Sequence, residues 1–137
     1  MPQKPTNRHT NMFNIDINIY TEADVSSEFY HQCRLRDIEL KMEVQIPSKV
    51  HRSGQMRADA VVVFDETPIC CVEFKGPRCQ KVKKEGLSVD SRQYRAYVGT
   101  GVPFFVCCGL DEIGETIENV EELLFLAGKN FDYARQA

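Results

Sequence analysis

The sequence predicts an α/β domain in which a mixed sheet is flanked by helices. Three stretches lead there. "TEADVSSEFYHQCRLRDIEL" spaces apolar residues at helical intervals behind a capping threonine. "RADAVVVFDETPICCVEFK" reads as two apolar strands joined by a polar turn. "VPFFVCCG" reads as a buried strand reached through a helix, and so as parallel to a neighbour.

The elements follow in order along 137 residues, a length that suits one core. Residues 1–20 are polar, with "FNIDINIY" alternating weakly, and are read as an arm or an added strand; 21–137 form the single domain. The first helix has Thr21 at its N-cap, acids in its first turn, and Val25, Phe29, Cys33 and Leu40 near one apolar stripe. "KMEVQIP" alternates as a half-exposed strand ended by Pro47. After "SKVHRSGQ" come strands over about 56–64 and 69–75. "SVDSRQYRAYVGTG" is a helix capped by Ser88, Asp90 or Ser91 and stopped by Gly99 and Gly101. The strand "VPFFVCCG" and an amphipathic helix, "ETIENVEELLFLAG", close the order α-β-β-β-α-β-α.

No apolar run approaches the roughly 20 residues of a membrane span, and "MPQKPTNRHTNMFN" lacks the apolar stretch of a signal peptide. The expectation is a cytoplasmic protein without membrane contact. Its cysteines are then reduced. Cys70 with Cys71 and Cys107 with Cys108 are adjacent pairs in apolar runs, Cys33 and Cys79 stand alone, and no C-x-x-C spacing occurs. They read as buried thiols. His9, His31 and His51 show no ligand spacing.

The net charge of −3 is unevenly placed. Residues 1–110 hold 15 Lys/Arg against 13 Asp/Glu, a balance of +2, and residues 111–137 hold 2 against 7, a balance of −5. In the first part, Arg78, Lys81, Lys83 and Lys84 precede Arg92 and Arg95 on the next helix. The cluster has two readings, a solvated loop or a track for a phosphate backbone.

Charged groups inside the apolar hairpin carry the chemistry. Glu73 and Lys75 share one strand face, while Val72 and Phe74 point to the other. Burying a lone charge costs several kcal/mol, a cost reduced if Asp59, Glu73 and the Phe74 carbonyl surround a hard divalent cation, with Lys75 beside an attacking water. The alternative is plain ion pairing, Asp59 with Arg57 or Lys75 and Glu73 with another strand's lysine. The spacing leaves both open. A shared site also constrains register: a regular even-residue turn puts Asp59 and Glu73 on opposite faces, so the site demands a turn of about three residues, Asp65 to Thr67, or of about five, or a β-bulge.

An acid in the first helix (Glu28), then "RAD", "CVEFKGP", "SRQYRAY" and "GVPFFVCC", over about residues 21–128, resembles the PD-(D/E)XK nuclease superfamily. "EFKGPR…LSVDSRQYRAYVGTGVPFFVCCGLDEI" is most similar to the small virus-type replication-repair (VRR) nuclease domains, with archaeal Holliday-junction resolvases and RecB-like nucleases as near relatives. The resemblance implies a restriction-endonuclease-like αβββαβ core, here with a C-terminal helix. It also implies dependence on Mg²⁺ or Mn²⁺, no organic cofactor, and a homodimer that hydrolyses DNA phosphodiesters. Branched or structured DNA in repair, recombination or phage DNA processing is the expected substrate. DNA ends or single strands are the first alternative, and a DNA-binding subunit without turnover is the second.

Carried over by position, Asp59 matches the superfamily aspartate, Glu73 and Lys75 the E-x-K pair, and Glu28 the frequent first-helix acid. Gln93 and Tyr97 match a Q-x-x-x-Y pattern of RecB-like members. Ala58 stands where the motif's name has proline. The implied catalytic set is Asp59, Glu73, Lys75, Gln93 and Glu28; the metal ligands are Asp59, Glu73, Glu28 and the Phe74 carbonyl. The implied DNA contacts are Arg78, Lys81, Lys83, Lys84, Arg92, Arg95 and Tyr97. Gln93 and Tyr97, four residues apart on one helical face, also suit a plain role in seating the helix on the sheet.

Overall fold

The structure, a computed structural model, describes residues 19–77 and 91–131. The N-terminal arm, the basic segment from Arg78 to Lys84, Cys79, and the capping candidates Ser88 and Asp90 lie outside the described residues.

Helix α1 spans Glu22–Leu35. Its start is a capping box: the Asp24 N–H donates to Thr21 Oγ1 at 3.3 Å and the Thr21 N–H donates to Asp24 Oδ2 at 2.8 Å. Val25, Phe29 and Cys33, four residues apart, are fully buried. The helix ends earlier than its apolar spacing suggests, because Asp37 adopts φ 57° and the Ile38 N–H returns to the Cys33 carbonyl at 2.9 Å. Leu40 therefore belongs to strand β1, Glu39–Pro47, where it packs beside Met42 with a period of two.

Strands β2, Gln55–Phe64, and β3, Thr67–Lys75, form the hairpin. Its turn is the two residues Asp65 and Glu66, at φ 53° and 62°, both in the left-handed region that a type I′ hairpin turn requires. Of the arrangements the shared site allows, a turn of about three or five residues or a β-bulge, the structure has the bulge. Phe64 pairs with Thr67 and Val63 with Pro68, but Val62 pairs with Cys70, so Ile69 is the extra residue. The shift falls beside Pro68, which has no N–H to leave unpaired. From Val62 the shifted register runs to its last pair, Ala60 with Val72, with Asp59 and Glu73 just beyond it.

A second irregularity lies at that point. Met42 and Ala60 pair and pack into one core layer, whereas Val44 and Ala58 pair and pack into the other. Regular strands would keep residues two apart on one face. Both strands therefore cross between layers at Glu43, φ 52°, and Asp59. The exposed Glu43 carboxylate pairs with Arg57.

Helix α2, Arg92–Val98, is capped by Ser91, whose hydroxyl accepts from the Tyr94 N–H at 3.0 Å. Strand β4, Phe104–Cys108, is parallel to β3, as its helical connection requires. A 3₁₀ turn at Leu110–Glu112 leads into helix α3, Ile113–Leu126. The fold is an α/β domain with a four-stranded mixed sheet ordered β1-β2-β3-β4 and three described helices.

Two apolar layers hold it together. On one sheet face, Val25, Phe29 and Cys33 of α1 and Ile113, Ile117, Val120 and Leu124 of α3 pack over Ala60, Val62, Cys70, Val72 and Phe74. On the other, Ala96 and Tyr97 of α2 cover Met56, Ala58, Val61 and Cys71. The five described cysteines are buried and form no disulfide. Burial pushes the Cys33 and Cys70 thiols up to about 12 and Cys71 to about 11, which suits core residues rather than nucleophiles. No described helix is long and apolar enough to cross a membrane.

Candidate active site

The charged residues of the hairpin meet where β2, β3 and α2 converge. Glu73 leaves β3 on the α2 side and is only 5% exposed. The Tyr97 hydroxyl, itself buried, donates to Glu73 Oε1 at 2.6 Å, and Lys75 Nζ lies 3.4 Å from Glu73 Oε2. Lys75 also donates to Gln93 Oε1 at 3.3 Å. One turn of α2 thus supplies both Gln93 and Tyr97, four residues apart, to Lys75 and Glu73, two residues apart on one strand face. The opposite face of the Tyr97 role is equally real: its ring stacks on Phe104 with centroids 4.9 Å apart.

Asp59 reaches the site differently. At the crossing point of β2, its side chain turns across to β3, where Oδ2 accepts the Phe74 N–H at 2.9 Å. A strand residue's N–H and C=O point to the same edge, so the Phe74 carbonyl also faces β2. Those of Lys75 face β4, where its carbonyl accepts from the Gly109 N–H at 3.0 Å.

Burial raises Glu73 above the ordinary carboxylate range. The Tyr97 hydrogen bond opposes that rise, the Asp59 charge adds to it, and the Lys75 charge and Gln93 oppose it. Tyr97 is raised in turn, by burial first and then by its bond to Glu73. Burial and the neighbouring Asp59 charge both act against the ionised form of Glu73, so this partly dry site is a place where a cation lowers the energy. No group of three or more His, Cys, Asp and Glu side chains gathers among the described residues. The donors present, two carboxylates and one carbonyl, suit Mg²⁺, which takes few protein ligands and leaves positions for water and phosphate.

Glu28 is not brought to this cluster. It accepts a 2.7 Å hydrogen bond from Gln32, whereas the α1 acid lining the cavity of about 180 Å³ around Asp59 and Phe74 is Glu22, with Ser26 and Glu43. Helical geometry is the reason: Glu22 and Ser26 share a face, and Glu28 stands about 240° around the axis from Glu22. The capping threonine at Thr21 is the sequence signal that places Glu22 at the helix start, beside Gly76. Of the expected DNA contacts, Tyr97 belongs to the Glu73 cluster. Arg92 and Arg95 lie on another face of α2, and Arg78, Lys81, Lys83 and Lys84 fall outside the described residues.

Comparison with family models, curated proteins and solved structures finds no match. The reading of function therefore rests on geometry and chemistry.

Proposed function

We propose that this protein is a Mg²⁺- or Mn²⁺-dependent DNA endonuclease with a PD-(D/E)XK-type site on a restriction-endonuclease-like αβββαβ core. The observation that carries the reading is the convergence of Asp59, Glu73, Lys75, Gln93 and Tyr97, separated in sequence, on one patch where β2, β3 and α2 meet. Structured or branched DNA is the proposed substrate.

Hydrolysis adds water across a P–O bond: the water oxygen bonds to phosphorus, the ester oxygen departs, and the water's proton is released. A divalent cation in this site supplies charge stabilisation and a more acidic water. Asp59, Glu73 and the Phe74 carbonyl would hold it. Lys75 is a quarter exposed and held between Glu73 and Gln93, so its ammonium group is positioned to orient the water and to offset charge growing on the phosphoryl oxygens. Gln93 fixes the lysine. Tyr97 favours the ionised form of Glu73 by donating to it, against the larger effect of burial.

The test is purified protein with Mg²⁺ or Mn²⁺ against linear, nicked, flapped, four-way and single-stranded DNA, with Glu73→Gln as control. Metal-dependent cutting that the control lacks supports the proposal. Binding without cutting on every substrate refutes it, and cutting confined to ends would make the enzyme an exonuclease.

A further inference from the structure

Outside that site, the connection from β1 to β2 and the far face of α2 enclose a second cavity of about 560 Å³. Among the described residues, its walls hold Arg52, Arg92 and Arg95, together with His51, Ser53 and Ala96, and no acidic residue. All three arginines are exposed, and none pairs with a carboxylate of a described residue. Three guanidinium groups facing one space repel each other unless an anion joins them. Arginine's planar fork favours phosphate over simpler anions.

The walls are fixed in place. The buried Ser48 hydroxyl donates to the Ala96 carbonyl at 2.6 Å, and the Lys49 N–H donates to the Gly99 carbonyl at 3.0 Å. Gly99 permits this closeness, since a Cβ there would lie 2.6 Å from Ser48 Oγ and 2.9 Å from Val50. Within the loop, the Ser53 N–H donates to His51 Nδ1 at 3.3 Å, which leaves Nε2–H as the ring's remaining donor.

We propose that this cavity binds a backbone phosphate of DNA, next to but distinct from the hydrolytic site. The proposal rests on the nuclease reading for the identity of the polymer. Its geometric basis is α2 itself. Arg92, Arg95 and Ala96 share one helical face and line the cavity, while Gln93 and Tyr97 line the Glu73 cluster. A strand crossing α2, a helix about 10 Å wide, would place one phosphate among the arginines and another at Lys75. The cavity then sets which phosphate along the strand meets the carboxylates.

The experiment measures DNA affinity of the full chain without divalent metal, over a salt series, for the native protein and for Arg52→Gln/Arg92→Gln/Arg95→Gln. A control, Arg34→Gln/Lys41→Gln, removes charge elsewhere. One lost phosphate contact predicts a roughly tenfold or greater loss of affinity and a salt slope shallower by about 1 in the triple variant alone. An unchanged slope, or an equal change in the control, overturns the proposal, as does a native protein that binds no DNA. Cutting with an arginine-independent slope refutes the phosphate site and leaves the nuclease reading standing. Arginine-dependent binding by a protein that cuts nothing does the reverse.

Discussion

Tyr97 donates a 2.6 Å hydrogen bond to Glu73, and the two residues shift each other in opposite senses: the bond lowers the pKa of Glu73 while raising that of Tyr97. Because burial is the larger effect on Glu73, its folded-state pKa stays raised. Folding then favours the protonated form, and this stabilisation is lost as pH rises through the folded value. Without divalent metal, Glu73→Gln should therefore melt above the native protein at neutral and alkaline pH, the gap closing toward pH 4. Melting curves across pH 4 to 8 test this; a gap that widens in acid contradicts it.

Tyr97→Phe removes a hydrogen bond that favours the ionised form of Glu73. The acid limb of any metal-dependent activity should move to higher pH, with folding weakened by about 1–3 kcal/mol for the lost buried bond. A pH–rate profile alongside urea unfolding separates the two effects. An unmoved limb would leave Tyr97 with a purely packing role.

Asp59→Asn retains an oxygen that can accept the Phe74 N–H while removing the charge. Stability near native, weaker Mn²⁺ binding by calorimetry and a loss of roughly 100-fold or more in cleavage are expected. Lys75→Ala should cost a similar factor in rate with Mn²⁺ binding kept. If either variant cuts at the native rate, that residue's assignment fails.

At the hairpin turn, Asp65 and Glu66 hold left-handed backbone without glycine. Asp65→Asn/Glu66→Gly should add about 1 kcal/mol of stability and raise the melting temperature by roughly 3–6 °C. Cleavage should be unchanged, because the turn lies at the other end of the hairpin from Asp59 and Glu73. A lower melting temperature would contradict the turn geometry.

Gly99→Ala places a methyl group against Ser48 and the Val50 backbone. A cost of about 1–3 kcal/mol is expected, with weaker DNA binding and normal Mn²⁺ binding. Native stability in this variant would show that the loop docks less tightly than the distances imply.

Local chemistry made much of this legible in sequence. Thr21 and Asp24 mark the start of α1 because a capping box is satisfied within four residues. Glu73 and Lys75 had to share a face because strand period is local. Gln93 and Tyr97 had to share one because helical period is too. What sequence could not decide was how the strands lie against each other. The two-residue turn alone would have set Asp59 opposite Val72; the bulge at Ile69 shifted the register by one residue and set Ala60 opposite Val72 instead, and that choice depends on packing both strand faces at once. The crossing of β1 and β2 at Glu43 and Asp59, the placing of Glu22 rather than Glu28 at the Asp59 cavity, and the meeting of Arg52 with Arg92 and Arg95 are likewise tertiary. Each joins residues far apart in the chain, whose encounter is fixed by burial of the two apolar layers and by no short-range rule.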